Sequence, residues 1–286
     1  MLSTKEIMKY IQDTKNTKEK SAINIVRQIV LTVTVAALVL IVIPVRASET
    51  DDSIVSSARN SYVFQTYLKG DDIKIESKDG AVTLTGIVPE ELHMSLAKET
   101  VAALPGVVSV DIRLKIKDTL STANSDVWLK EKVKSTLLFH RNVNATEIEV
   151  LAKDGIVTLR GETTSAAQKK LATEYAKDVE GVKKVKNEMT VLTPATKPGK
   201  KTIGEKVDAI SESIDDASIT ALVKTTLLFH RSTSALNTTV VTKKGVVELR
   251  GKTRTVAEKS QATKLVSDVY GVKKVVNKMI AKYKRH

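Results

Sequence analysis

Apolar and polar positions in this chain follow two periods, and the order in which the periods change is repeated. From Asp126, which stands where a helix N-cap is expected, Leu129, Val133, Thr136 and Leu137 recur at i, i+4, i+7 and i+8. That spacing predicts a helix with one buried stripe, with Lys130 and Lys134 turned to solvent. The period then falls to two: Ile148 and Val150, the turn Lys153-Asp154-Gly155, then Val157 and Leu159. Asp-Gly between alternating runs predicts a hairpin, because both turn residues accept positive φ. Gly161 is expected to end the second strand, where a side chain would obstruct the turn into the next helix. Ser165 and Gln168 have capping-box spacing. The helix they open ends before Gly181, and a third strand is expected around 186–192.

The same grammar returns twice. Leu137-Leu138-Phe139-His140-Arg141 reappears as Leu227-Leu228-Phe229-His230-Arg231, and Gly155, Gly161, Gly181 and Asn187 reappear as Gly245, Gly251, Gly271 and Asn277. A more diverged copy lies upstream, with Phe64, Gly80, Gly86 and Gly106 each 75 positions before their counterparts. Self-similarity at fixed spacing marks a duplicated folding unit. The order α-β-β-α-β predicts an α+β fold of three tandem small sandwiches. Each should carry a three-stranded mixed sheet with two helices on one face, since the hairpin is antiparallel and a helical crossover permits parallel pairing. The units are expected at 53–117, 126–192 and 215–283. Residues 119–125 are a short polar linker, and 193–214 a Pro-containing tether in which Ile203, Val207, Ile210 and Ile214 allow an extra helix.

Charge adds a direction to this picture. The formal net charge is +13, yet residues 51–118 sum to −3, 126–192 to +2 and 201–286 to +9. A basic terminal unit points to an acidic partner. Cysteine is absent, which excludes thiol chemistry and cysteine metal sites. Aromatic residues make up 3%, too few for a stacking platform on single strands, so no nucleic acid is expected as partner.

Residues 1–47 read as a targeting segment: a Lys-rich leader, an uncharged run from Gln28 to Val45, and Val45-Arg46-Ala47 with small residues at the −3 and −1 positions of a signal-peptidase site. Cleavage after Ala47 would release a periplasmic protein. The alternative is an inner-membrane anchor formed by residues 28–45. Either way the three units lie outside the cytoplasm.

The unit resembles the BON domain, named for bacterial osmotically inducible and nodulation proteins. The resemblance is carried by Gly155-x-Val157-x-Leu159-x-Gly161, by Ala167 and Ala172 in the second helix, and by Gly181-Val182-x-x-Val185-x-Asn187, with matching residues in the third copy. The first copy departs from it, with Ile112 in place of the Asn and Gln65-Thr66 in place of His-Arg. The resemblance implies a non-enzymatic envelope protein, associated with phospholipid and with osmotic or other stress. It supplies no catalytic, metal or cofactor residues.

The candidate contact residues are therefore read for membranes. Trp128 is the sole tryptophan and adjoins Lys130 and Lys134, a combination suited to a headgroup boundary, with packing on a neighbouring unit as the alternative. In the third unit Lys243, Lys244, Arg250, Lys252, Arg254, Lys273 and Lys274 are expected to gather positive charge at one end for anionic phospholipid. A second reading is an adaptor or chaperone-like protein that binds other envelope proteins. His140-Arg141 and His230-Arg231 are read as solvent-facing helix C-caps, with Leu137 and Leu227 in the cores. The remaining histidines are His93 and His286, too few for a metal site.

Overall fold

The computed structural model describes residues 49–117, 126–192, 214–233 and 238–281. The targeting segment 1–47, the linker 119–125 and, of the tether, all but Ile214 lie outside them. Among the described residues, no helix is long and apolar enough to cross a membrane.

The first unit comprises a helix over 51–60 (α1), a short α2 (Tyr62–Thr66), β1 (Asp72–Lys78), β2 (Ala81–Val88), α3 (Glu91–Ala102) and β3 (Ser109–Ile116). The second has α4 (Asp126–Phe139), β4 (Ile148–Lys153), β5 (Ile156–Thr163), α5 (Ala166–Lys177), β6 (Lys184–Asn187) and β7 (Thr190–Val191). The third has α6 (Asp216–Phe229), β8 (Thr239–Lys243), β9 (Val246–Arg250), β10 (Lys252–Thr253), α7 (Val256–Ser267), β11 (Lys274–Asn277) and β12 (Ile280–Ala281). In every unit the hairpin strands pair antiparallel and the last strand pairs parallel with the middle one, the mixed sheet that the connections imply. Leu129, Val133 and Leu137 from α4 and Ala172, Tyr175 and Ala176 from α5 share one core with Val150, Val157 and Leu159. Both helices therefore cover the same sheet face.

The hairpin turns use positive φ at both residues: Asp79-Gly80, Asp154-Gly155 and Lys244-Gly245. Asp126 does not serve its own helix as a cap. Its carboxylate accepts the Asp154 and Gly155 amides instead, at 3.0 and 3.5 Å. Asp51 and Asp216 hold the other two turns in the same way. Bonds from the Ser77 hydroxyl and the Gly80 amide lower the Asp51 pKa. Lys244 holds a left-handed conformation at φ 52°, which costs a non-glycine residue about 1 kcal/mol. Lys244→Asn is accordingly expected to raise stability by about 0.5–1 kcal/mol in urea denaturation, and an unchanged or lowered midpoint would count against this.

Gly161 lies within β5 rather than at its exit, and its φ is 120°. A Cβ there would overlap the Glu147 carbonyl across the hairpin, not the turn into the following helix. Gly86 stands in the same relation to Asp72. Opposite Gly161 the last strand breaks between β6 and β7 with no change of register. Asn187 closes the gap. Its Nδ2 donates to the Lys169 carbonyl and the Thr173 hydroxyl of α5, and its Oδ1 accepts the Met189 amide. Asn277 repeats all three bonds. In the first unit, where Ile112 replaces the Asn, β3 runs unbroken over eight residues.

The units are packed together. Cores of the first and third units merge into one cluster that also takes in Phe139 of the second, while the rest of the second unit's core forms a cluster of its own. The seam is α3 against α6, tied by Lys224 to Glu99 at 2.6 Å. The Tyr62 and Val63 amides also donate to Asp215 and Ser218 at the start of α6. Covered on both sides, α6 buries Ala217, Ala221 and Leu222 besides its own stripe of Ile219, Val223 and Leu227.

Candidate functional site

The His-Arg stretches are not solvent-facing caps, contrary to the sequence expectation. Each leaves the end of its unit's first helix and enters the corner where the other unit's second helix turns into the last strand. The Arg141 amide donates to the Asp268 carbonyl at 3.0 Å, and the Tyr270 amide returns a bond to the Phe139 carbonyl at 3.0 Å. The reciprocal pair joins Arg231 to Asp178 and Glu180 to Phe229, at 2.9 and 2.8 Å. Arg141 then points its guanidinium at the Ser267, Val269 and Val272 carbonyls. Arg231 does the same at Lys177, Val179 and Val182. A helix C-terminus exposes carbonyls that no later turn satisfies, so it attracts a planar cation with several donors. The outcome is a two-fold-like clasp between the second and third units.

The histidines lie inside it. His140 is wholly buried and His230 almost so. The Thr136 carbonyl can only accept, so His140 Nδ1 carries the proton and donates to it. Its ring lies 4.0 Å from that of Tyr175, whose hydroxyl donates to Asp268 at 2.9 Å. Burial lowers the His140 pKa to about 4, against smaller opposing effects of the Thr136 carbonyl and Asp268. His230 is also shifted down by burial, but its Nε2 has Asp178 at 3.8 Å and its Nδ1 accepts the Ser232 amide.

The first unit cannot join this arrangement. Gln65-Thr66 supply no guanidinium, and Ala103 stands where Asp178 and Asp268 stand. Pro105 occupies the position of Glu180 and Tyr270 and has no amide proton to donate. This corner stays open, with Val108 81% exposed. The first unit meets the second by another route. Glu90 faces Glu131 across the junction, and burial followed by that like charge raises the Glu90 pKa to about 7. His93 lies 3.4 Å from Glu90 and bonds Asp71 at 2.6 Å.

Trp128 is half-buried and stands edge-on to Phe229 of the third unit, ring centroids 5.5 Å apart, with the Lys132 ammonium over its face. It takes the packing role rather than that of a lipid insertion point. Lys130 and Lys134 lie near enough to Glu90 to stabilise its charge, which sets them at the junction of the first two units. The third unit's cations are not gathered at one end. The register puts Lys243 and Lys274 on either side of Val246, and the Lys273 stem against Gly245, with Lys244 in the turn itself. Arg250, Lys252 and Arg254 stand at the other end of the strands, where Arg250 pairs with Glu248 and Arg254 with Glu258. Among the described residues no ion pair engages the four turn-end lysines, and all four are exposed.

Among the described residues no group of His, Asp and Glu is placed to hold a metal ion. The residues missed from sequence are Asp268 and Tyr175, which complete the clasp. For Asp268 the signal was indirect, since Asp178 and Asp268 recur at the repeat spacing just before Gly181 and Gly271; Tyr175 has none, its counterpart being Leu265.

Comparison with known proteins identifies three matches to the BON domain, at residues 50–118, 125–193 and 215–283. Osmotically-inducible protein Y of Escherichia coli is 31% identical over 143 residues, 49% of this chain and 71% of that protein. A 21 kDa hemolysin of Actinobacillus pleuropneumoniae is 35% identical over 115 residues, 40% of this chain and 59% of the relative. Outer membrane lipoprotein DolP of Haemophilus influenzae is 29% identical over 138 residues, 47% of this chain and 71% of the relative.

Proposed function

The chain belongs to the BON domain family, and on that premise we propose a non-enzymatic, exported envelope protein that attaches weakly to anionic phospholipid and supports the envelope under osmotic or other stress. The names of its relatives, one osmotically inducible and one an outer-membrane lipoprotein, support the setting. The signal-like residues 1–47 support export, to the periplasm or to the periplasmic side of an inner-membrane anchor.

The observation that carries the lipid reading is the turn end of the third unit, where Lys243, Lys244, Lys273 and Lys274 are exposed together. Lys153, Lys183 and Lys184 occupy matching positions in the second unit. Each cation near an anionic bilayer contributes about 1 kcal/mol, screened by salt. Sedimentation of the full chain with anionic and with zwitterionic liposomes tests this. Binding is expected to the anionic vesicles alone, weakening as salt rises. Lys243→Glu with Lys274→Glu should reduce it by about 30-fold or more, whereas Arg250→Gln with Lys252→Gln should change it little. Equal sedimentation with both lipids would remove the proposal. A second reading, an adaptor for other envelope proteins, draws on the clasp itself, in which one BON unit recognises another through backbone carbonyls.

A further inference from the structure

We propose that the clasp between the second and third units is an acid-operated latch, with His140 as its sensor. His140 Nε2 is buried without a hydrogen-bond partner among the described residues, in a pocket closed by both units. The groups around it are known on every side. Thr136 takes the Nδ1 proton, and Tyr175 of α5 covers the ring. Arg141 follows it in the chain, and Asp268 and His230 approach from the third unit. Tyr67 of the first unit lies edge-on to the adjoining Phe139, centroids 5.4 Å apart.

A proton on Nε2 finds no acceptor there. Among the described residues no carboxylate oxygen lies within ion-pair distance of it: Asp268 acts on the ring from farther off while accepting the Tyr175 hydroxyl, and Arg141 is cationic. The new N–H reaches water only when the third unit's corner withdraws. Buried charge without a partner is the costly state, so opening is the relief. The twin histidine is not equivalent: Asp178 stands at 3.8 Å from His230 Nε2 and can receive its proton.

The sign follows from the direction of the shift. The clasped state holds the His140 pKa near 4 and the opened state returns it to about 6.5. Between those values the open state binds a proton that the closed state refuses. The clasp is therefore at full strength above pH 6.5, weakens as pH falls toward 4, and loses nothing more to this group below that. At pH 5 the open state gains about 20-fold over its share at pH 7. The first junction responds in the opposite sense. Glu90, raised toward 7 in the packed state, gains its proton as pH falls, which relieves its repulsion from Glu131. Acid thus frees the second unit from the third while its contact with the first is strengthened.

Trp128 provides the readout, being the sole tryptophan and lying on Phe229 across this seam. The emission of the full chain is followed against urea at pH 7.5 and pH 5, with far-UV circular dichroism recorded alongside. In acid the red-shifted state should gain about 30-fold before secondary structure is lost. His140→Gln should remove most of that gain, and His230→Gln only the smaller part that its own burial-lowered pKa supplies. An identical emission transition at the two pH values, or a His140→Gln chain that responds as fully as the wild type, would overturn the latch. Should His140→Gln not fold, histidine NMR of the native chain decides: an His140 pKa at or above 6.5 would equally overturn it.

Discussion

Gly161→Ala is expected to unfold the second unit at room temperature. A Cβ at this position meets the Glu147 carbonyl, a backbone atom immediately before β4 at the open end of the hairpin, so no rotamer change can make room. The residue would also have to hold φ at 120°, a region that side chains rarely adopt. Relief requires the hairpin to open, and among the described residues β4 pairs with no other strand. The loss should exceed about 4 kcal/mol, a large part of what a domain of this size possesses. Because the second unit has a core of its own, the first and third should persist. Gly86→Ala should spread further, since the core of the first unit is continuous with that of the third. Gly70→Ala is the control: nothing lies within 4 Å of its would-be Cβ, and the change should stay within about 0.5 kcal/mol. Urea denaturation followed by circular dichroism separates the cases. A Gly161→Ala chain with a wild-type midpoint would refute this account of the glycine.

The role of Gly161 is set by a contact between strands that hydrophobic alternation does not encode. Period-two alternation identifies β4 and β5 and the side of each that is buried, because burial is a property of a residue and its own strand. It does not say whether an outward carbonyl of the neighbouring strand occupies the space a Cβ needs. The same limit applies to Asp126. Its place before an apolar stripe suits an N-cap, but its carboxylate belongs to a turn 28 positions away; the clue was that Asp51 and Asp216 keep the same distance from their turns. In the third unit's first helix, Leu222 stands where Lys132 stands in the second; that difference does not fix a face by itself, and the structure shows the reason, since α3 covers a second side of the helix. For the His-Arg stretches the helix-dipole argument was sound in kind but assigned to the wrong helix. Arginine does satisfy helix C-terminal carbonyls; they belong to the other unit, more than 120 positions away for Arg141. Nothing local in a sequence distinguishes a cap from a plug.

That plug is the basis for the second large effect. Arg141→Ala should weaken the clasp by about 2 kcal/mol, since it strips a charge-assisted donor from three helix-end carbonyls, two of them in part-buried bonds. Arg141→Lys should rescue little of this, because an ammonium cannot present the planar fork that spans the Ser267, Val269 and Val272 carbonyls. Arg231→Ala should cost a similar amount at the mirrored corner. The two losses should not add. Once one plug is gone the seam is partly open, and the second guanidinium has less to hold, so the double variant should fall short of the sum by about 1 kcal/mol or more. The sensitive probes are the Tyr270 and Glu180 amides, which donate across the seam to Phe139 and Phe229. Their hydrogen exchange should accelerate in either single variant while amides of β5 and β9 stay protected. Full additivity would mean that the two corners act independently, and a lysine variant with wild-type protection would mean that charge alone, without the fork, holds the units together.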